Sequence, residues 1–282
     1  MAHCAVPAAE RILDRKYKVL DKGFVRLVDY LGSDARIVQA ARVSYGKGTK
    51  TYRRDKGLIN YLLRNDHTSP FEQVVFTFHV KLPIFVARQW IRHRTARVNE
   101  ISGRYSVMRD EFYVPHESDI ACQSADNKQG RDTTPVSKAQ SRKVLSVLKQ
   151  SYQRVYGDYE KLLRDNIARE LARINLPLGL YTEWYWQIDL HNAFHFFKLR
   201  LDPHAQREIR RYAEVMYRLV AKVCPMACDA FEEHVREGIR FSTTEMTELR
   251  RILTGKPPRL QGRARDIFVG KLGFDPVREN AR

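Results

Sequence analysis

The chain has 282 residues, enough to bury a sizeable core in one large domain or two small ones. With 43% hydrophobic and 11% aromatic residues, including fourteen Tyr and thirteen Phe, the composition excludes a disordered chain. Fifty Lys and Arg against 33 Asp and Glu leave +17, which points to polyanions or anionic small molecules as partners.

Residues 1–20 read as a flexible lead-in. "GFVRLVDYLG" (23–32) reads as a strand and "SDARIVQAARVSY" (33–45) as a helix, with Ser33 or Asp34 placed to cap it. "GKGTK" (46–50) lacks the G-x4-G-K-[ST] order of a phosphate loop. "DKGLINYLLRND" (55–66) is amphipathic and helical. In "FEQVVFTFHVKLP" (71–83), Phe76, Phe78, Val80 and Leu82 alternate with Thr77, His79 and Lys81, the period of a half-buried strand. Pro83 then opens a helix, "PIFVARQWIRHR" (83–94), which delivers its basic end into "RHRTARVNEISGRY" (92–105). Asn99, Ser102 and Gly103 suggest a turn or loop there.

Residues 117–139 are polar without a sustained period and read as a surface loop. Residues 140–177 read as a long helix with a break near Asp165–Asn166. "LYTEWYWQID" (180–189) reads as a strand, and Asp189 is placed to cap the helix "LHNAFHFFKLRL". Asp202 and Pro203, as N-cap and N1, predict the start of a further helix that runs to about residue 223. Residues 241–282 read as a basic extension: nine Arg or Lys against three Asp or Glu in 250–282 contribute +6. A solvated tail explains it, and so does loose contact with a polynucleotide. The simplest organisation is one α+β domain, 21–240, with a helical half.

The cysteines Cys4, Cys122, Cys224 and Cys228 are too few for a disulfide framework and lack a second pair for zinc. The first residues carry no basic start followed by a long apolar run, and no apolar run is long enough for a membrane, so a cytoplasmic setting is expected. His191 and His195 stand at i, i+4, a spacing that suits zinc, but no neighbouring carboxylate completes a set and no metal is expected. His67, Ser69 and Glu72 precede the strongest strand, where His67 is either a general acid–base or part of a cap and turn.

Residues 92–105 hold four arginines and a histidine against one carboxylate, Glu100. A phosphate site, a nucleic-acid face and a solvated basic helix are the candidates. Arginine meets a phosphate with a planar fork of donors, and a Ser-Gly turn adds backbone N–H groups, so the pattern favours a phosphate site while the nucleic-acid face and the solvated helix stay open. A single-strand binder would interleave aromatic residues with the arginines, and the stretch holds only Tyr105.

"RHRTARVNEIS" is also R-H-R-x7-S, and here the chain resembles the flavin-dependent thymidylate synthases. "ARVSY" (41–45), "HTSPFEQVVFTFHVKLPIFVARQW" (67–90), "SGRYS" (102–106), "ARINLPLGLYTEWYW" (172–186) and "LRLDPHAQREIRRYA" (199–213) resemble further blocks of that family in the same order. The resemblance spans roughly residues 20–235. It implies a mostly antiparallel central sheet flanked by helices. It also implies methylation of dUMP to dTMP, with 5,10-methylenetetrahydrofolate as carbon donor and NADPH as reductant through FAD. No cysteine nucleophile is needed, and the implied enzyme is a homotetramer with shared sites and no specific nucleic-acid partner. By the same resemblance Arg92, His93 and Arg94 meet FAD, with Ser44, Ser69 and Glu72 lining the same cofactor. Glu100 faces both ligands. Gln89, Arg92, Ser102, Gly103 and Arg104 hold dUMP, mostly by phosphate and ribose. Arg173 and Arg200 reach the nucleotide from another subunit. Arg200 stabilises negative charge on the pyrimidine and His67 is the mobile histidine near the flavin. Some members carry Asn, Arg and Asn where this chain has Asp189, His191 and His195, three positions that touch flavin in such members. The extension and residues 117–139 match no family block at this level.

Overall fold

The computed structural model describes residues 5–45, 52–125 and 130–276; the stretch 46–50 lies outside them. The chain divides into two compact units, Met1–Phe231 and Glu232–Arg282.

In chain order the first unit holds α1 (Pro7–Glu10), β1 (Tyr17–Val19), β2 (Gly23–Leu31), α2 (Asp34–Ala41) and α3 (Tyr52–Arg64). Then come β3 (Val75–Pro83), α4 (Ile84–Trp90), β4 (Arg97–Glu100), β5 (Ala121–Gln123) and β6 (Arg131–Pro135). It closes with α5 (Lys138–Arg164), α6 (Arg169–Ala172), β7 (Tyr181–Asp189), α7 (Leu190–Arg200), α8 (Arg207–Val223) and α9 (Pro225–Phe231). The second unit holds α10 (Thr243–Leu253) and α11 (Gly262–Leu272).

A five-stranded antiparallel sheet in the order β1-β2-β3-β7-β4 organises the first unit. The β3–β7 pairing runs unbroken from Val75 opposite Asp189 to Pro83 opposite Tyr181. The alternation read in β3 is the observed one: Phe76, Phe78, Val80 and Leu82 are fully buried. Their core face continues through Trp184, Trp186 and Ile188 of β7, with α8 supplying Ile209, Tyr212, Met216 and Val220. The Trp90 ring at the end of α4 lies 5.3 Å from Trp186 and 4.9 Å from Phe196 of α7, so an aromatic cluster ties both helices to the sheet. Sheet and helix approach closely at Gly23. A methyl group there would sit 2.7 Å from the Lys81 carbonyl oxygen, the group to which Tyr212 donates at 2.8 Å.

Several expectations need correction. The lead-in carries α1, with Ala9 buried, and the edge strand β1; Tyr30 accepts from the Val6 N–H at 2.6 Å and donates to Glu10 at 2.5 Å, anchoring it. The helix from Pro83 ends at Trp90 rather than Arg94, and Arg97–Glu100 is a strand, because pairing with β7 outcompetes a further helical turn. Within 117–139, β5 and β6 form a two-stranded hairpin. The helix expected from Asp202, α8, opens at Arg207, with Gln206 at its N-cap position. Asp202 instead accepts from the His204 backbone N–H at 2.7 Å and closes a local turn. Ser33 makes no cap bond. Asp34 is spent on a different helix, accepting from the backbone N–H groups of Met226 and Ala227 in α9 at 2.9 and 3.0 Å. The break at Asp165–Asn166 is where the sequence puts it, with Asn166 at φ 59°.

The extension is folded. Ser242 and Glu245 form a capping box at the start of α10, Lys271 of α11 reaches Glu245 at 2.6 Å, and Phe268 is buried. The unit boundary, Phe231/Glu232, precedes the residue-240 boundary expected from the sequence.

Candidate active site

Two helix ends meet on the core cluster. His93 follows α4 and is 8% exposed, with its ring 4.9 Å from Phe196 in an edge-on contact. Arg200, the last residue of α7, donates from Nε to His93 Nε2 at 3.0 Å and from Nη2 to the Gln89 carbonyl at 3.4 Å. Accepting that bond requires a neutral imidazole with its proton on Nδ1. Burial, then the charges of Arg200 and His195, push the His93 pKa down to about 4, so the ring stays neutral. Burial also lowers the Arg200 pKa. The flanking Arg92 and Arg94 are exposed and make no hydrogen bond or ion pair among the described residues.

Beyond β4 the chain turns tightly. The Ser102 carbonyl accepts from Tyr105 N at 3.2 Å and Ser106 N at 3.0 Å, and its hydroxyl accepts from Arg104 N at 3.2 Å. A Cβ on Gly103 would lie 3.0 Å from Arg173 Cδ and 3.1 Å from Met108 Sδ. Glycine gives Arg173 room to lie along this turn, and the approach is made within one chain. Arg104 pairs with Glu170 at 3.0 Å, both largely exposed. Glu100 is held from β7, accepting from Thr182 Oγ1 at 2.5 Å.

The other anticipated residues are more scattered. His67, Ser69 and Glu72 are exposed on the segment before β3, His67 with its ring 5.8 Å from Tyr61. Ser44 stands in the 3₁₀ turn Arg42–Tyr45. Asp189 caps α7: its two oxygens accept from the backbone N–H of Asn192 at 2.9 Å and from its Nδ2 at 2.7 Å. His195 lies 5.9 Å from His93, ring to ring, and His191 is one turn earlier on α7. Among the described residues no group of three or more His, Cys, Asp or Glu is arranged to hold a metal.

Sequence reading missed a polar chain that backs the site. Gln89 Nε2 donates to Gln206 Oε1, and Gln206 Nε2 donates to Glu208 Oε2 at 2.9 Å. Glu208 is 1% exposed and also accepts from Arg131 and, at 3.1 Å, from the Tyr113 hydroxyl. Burial alone would raise the Glu208 pKa, but the bonds from Arg131 and Gln206 outweigh it and hold the carboxyl below its usual range. Gln206 and Glu208 stand three and five residues after Pro203, where the expectation of a helix start concealed them.

The chain matches two family profiles. Residues 26–226 match the family described as thymidylate synthase complementing protein, and residues 239–274 match the thymidylate synthase ThyX C-terminal domain. The chain is 63% identical over 260 residues to the flavin-dependent thymidylate synthase of Treponema denticola, covering 92% of this chain and 98% of that one. This chain belongs to the flavin-dependent thymidylate synthases. The enzyme of that name from Treponema pallidum is 57% identical over 272 residues, 96% of this chain and 89% of the relative. Among solved structures, the UMP/dUMP methylase PolB from Streptomyces cacaoi, bound with 5-Br dUMP, superposes with a TM-score of 0.71 at 35% identity. That match covers 78% of this chain and 99% of the other.

Membership makes the protein a flavin-dependent enzyme. It also corrects the reading of residues 241–282: most of that basic extension is a recognised part of the family. A recess of about 830 Å³, lined by Lys18, Tyr113, Lys149, Arg218 and their neighbours, contains none of the anticipated site residues. No helix among the described residues is long and apolar enough to cross a membrane.

Proposed function

We propose that this enzyme converts dUMP to dTMP with 5,10-methylenetetrahydrofolate as carbon donor and NADPH as reductant through FAD, as a cytoplasmic homotetramer. The observation that carries the reading is the junction of Arg200, neutral His93 and Gln89, flanked by two unpaired arginines. The residues fit a flavin dinucleotide. Arg92 and Arg94 have free charge for its phosphates, and His93 is packed on the aromatic core. FAD held by these residues would supply the redox chemistry that links NADPH to the pyrimidine system.

The protein's own part is electrostatic. Arg200 spends Nε on His93 and Nη2 on Gln89, which leaves Nη1 for the substrate. A fixed cation there stabilises negative charge that develops on the pyrimidine, without reorganisation during the reaction. His93 holds that guanidinium in place because, neutral, it accepts rather than repels. Ser102, Gly103, Arg104 and Arg173 surround the position of the dUMP phosphate, and Glu100, held by Thr182, faces the ribose. Arg104 exchanges its exposed pairing with Glu170 for phosphate, a small loss. His67, Ser69, Glu72, Ser44, Asp189, His191 and His195 belong to the flavin side. The described thiols take no part: Cys224 and Cys228 are buried where α8 meets α9, and Cys122 is on β5.

An anaerobic visible spectrum tests this. Protein reconstituted with FAD should be yellow, shift its bands on adding dUMP, and bleach on adding NADPH. A protein that stays colourless after incubation with FAD overturns the reading.

A further inference from the structure

The recess of about 830 Å³ in the first unit has the size of a small-molecule site, for which roughly 300–1,000 Å³ is usual, and no residue assigned to FAD or dUMP lines it. Part of its lining is apolar. Val19 of β1, Tyr113 and Val215 of α8 are each less than a tenth exposed, and Pro115 lies with them. The Tyr113 hydroxyl is committed to the buried Glu208 at 3.1 Å, so what Tyr113 offers an occupant is its ring.

The rest of the lining is cationic. Lys18 of β1, Lys149 of α5 and Arg218 of α8 reach one recess from three separate elements. All three are exposed, and their side chains make no hydrogen bond or ion pair among the described residues. The carboxylates that could answer them are already spent. Asp21 accepts from the Tyr181 hydroxyl at 2.6 Å and from the Val114 N–H at 3.1 Å. Asp119 pairs with Arg207 at 2.6 Å, and Glu214 with Arg211 at 3.3 Å. Like charges gathered around a concave wall repel one another, and the same wall focuses their field on an entering anion. A basic surface that only keeps the chain soluble gains nothing from that convergence.

An occupant that uses this whole lining needs two parts. One is a ring system for the apolar wall. The other is a run of negative charge long enough to meet cations on three elements, which a single phosphate is not. We propose that the recess is a second nucleotide site, which binds a nucleoside triphosphate with its phosphates on Lys18, Lys149 and Arg218 and its base against Tyr113 and Val215. Arg218 brings the planar fork and the two lysines bring point charges. The site gives part of the +17 net charge a use, and it stands independently of the dUMP reading.

The test is calorimetric titration of the FAD-loaded, dUMP-saturated enzyme with ATP at fixed ionic strength, for the wild type, Lys149→Gln and Arg218→Gln. Lys143→Gln, on α5 but outside the recess, is the charge control. Each protein is also titrated with dUMP alone, and the wild type with inorganic tripolyphosphate. The expected result is one ATP per chain, bound roughly tenfold more weakly by each recess variant and equally well by Lys143→Gln, with dUMP affinity the same in all four proteins. Tripolyphosphate, which lacks the base, should bind at least about tenfold more weakly than ATP. A wild type that binds no ATP overturns the proposal. So does equal weakening by Lys143→Gln, the mark of diffuse attraction to a basic surface. Tripolyphosphate binding as tight as that of ATP overturns it too, because no base is then being held. A wild type that takes ATP but not dUMP leaves the recess site standing and removes the dUMP reading instead.

Discussion

Replacing His93 with glutamine should change the pH dependence of stability by a calculable amount. In the folded protein the ring is buried against Phe196, accepts from Arg200 and has its pKa pushed down to about 4; in the unfolded chain it returns to 6.5. Between these values the unfolded chain binds a proton that the folded protein does not, so stability rises with pH through this window and is lost as pH falls. From pH 8 to pH 5 the loss from this one residue is about 2 kcal/mol, from the ratio of the two titration curves. Glutamine can still accept from Arg200 through its side-chain oxygen and carries no such proton. Urea unfolding of ligand-free protein at both pH values should therefore show the variant gaining about 2 kcal/mol on the wild type as pH falls. Every other titrating group is common to both proteins and cancels. A wild-type–variant difference that is the same at pH 8 and pH 5 would refute the neutral-histidine account of the Arg200 anchor.

Two further outcomes follow from local geometry. Asp34→Ala leaves two backbone N–H groups at the start of α9 without their acceptor, and should cost about 2 kcal/mol by urea unfolding at pH 7. Burial raises the Asp34 pKa to about 6 against 3.8 unfolded, so this carboxyl's own contribution falls as pH rises from about 4 to 6. The penalty for Asp34→Ala should accordingly be smaller at pH 7 than at pH 4. Gly103→Ala places a methyl group 3.0 Å from Arg173 Cδ and should displace that side chain. It should cost less than about 1 kcal/mol of stability while weakening dUMP at least about tenfold in the same titration, because the obstructing atoms are the flexible ends of Arg173 and Met108. Equal dUMP affinity in wild type and variant would remove Arg173 from the phosphate site.

The long strands and helices were readable because each buries one face against the core. In β2, β3 and β7 the period of two is written in Val, Phe and Trp, and the break at Asn166 follows from a residue that tolerates a left-handed conformation. β4 was hidden for the opposite reason. All four of its residues are exposed, so it has no alternation to read, and only β7 makes it a strand. The hairpin at β5 and β6 is polar for the same reason. At the site, the R-H-R stretch and its Ser-Gly turn stood out as charge without compensation. The neutral state of His93 did not, because it depends on Arg200, more than a hundred positions along the chain. Gln206 and Glu208 stood in a quoted block, but their significance lies in a network spanning α4, β6 and α8. Asp202 misled because its Asp-Pro pair imitates a helix start, whereas its carboxylate is satisfied locally by His204.

The strand order has a consequence for how the protein assembles. β7 is the common partner of β3 and β4, yet it is made after both, with residues 84–180 between Pro83 and its partner Tyr181. Until β7 emerges during synthesis, β3 has an unpaired edge and the strand leading into the Ser102 turn has no partner at all. The contacts that shape the Ser102 turn are therefore of high contact order, formed late and at the cost of closing a long loop. A nascent chain interrupted before Tyr181 would lack β7, and with it the strand that joins β3 to β4 and orders the Ser102 turn. Completing one strand brings fold and site into being together.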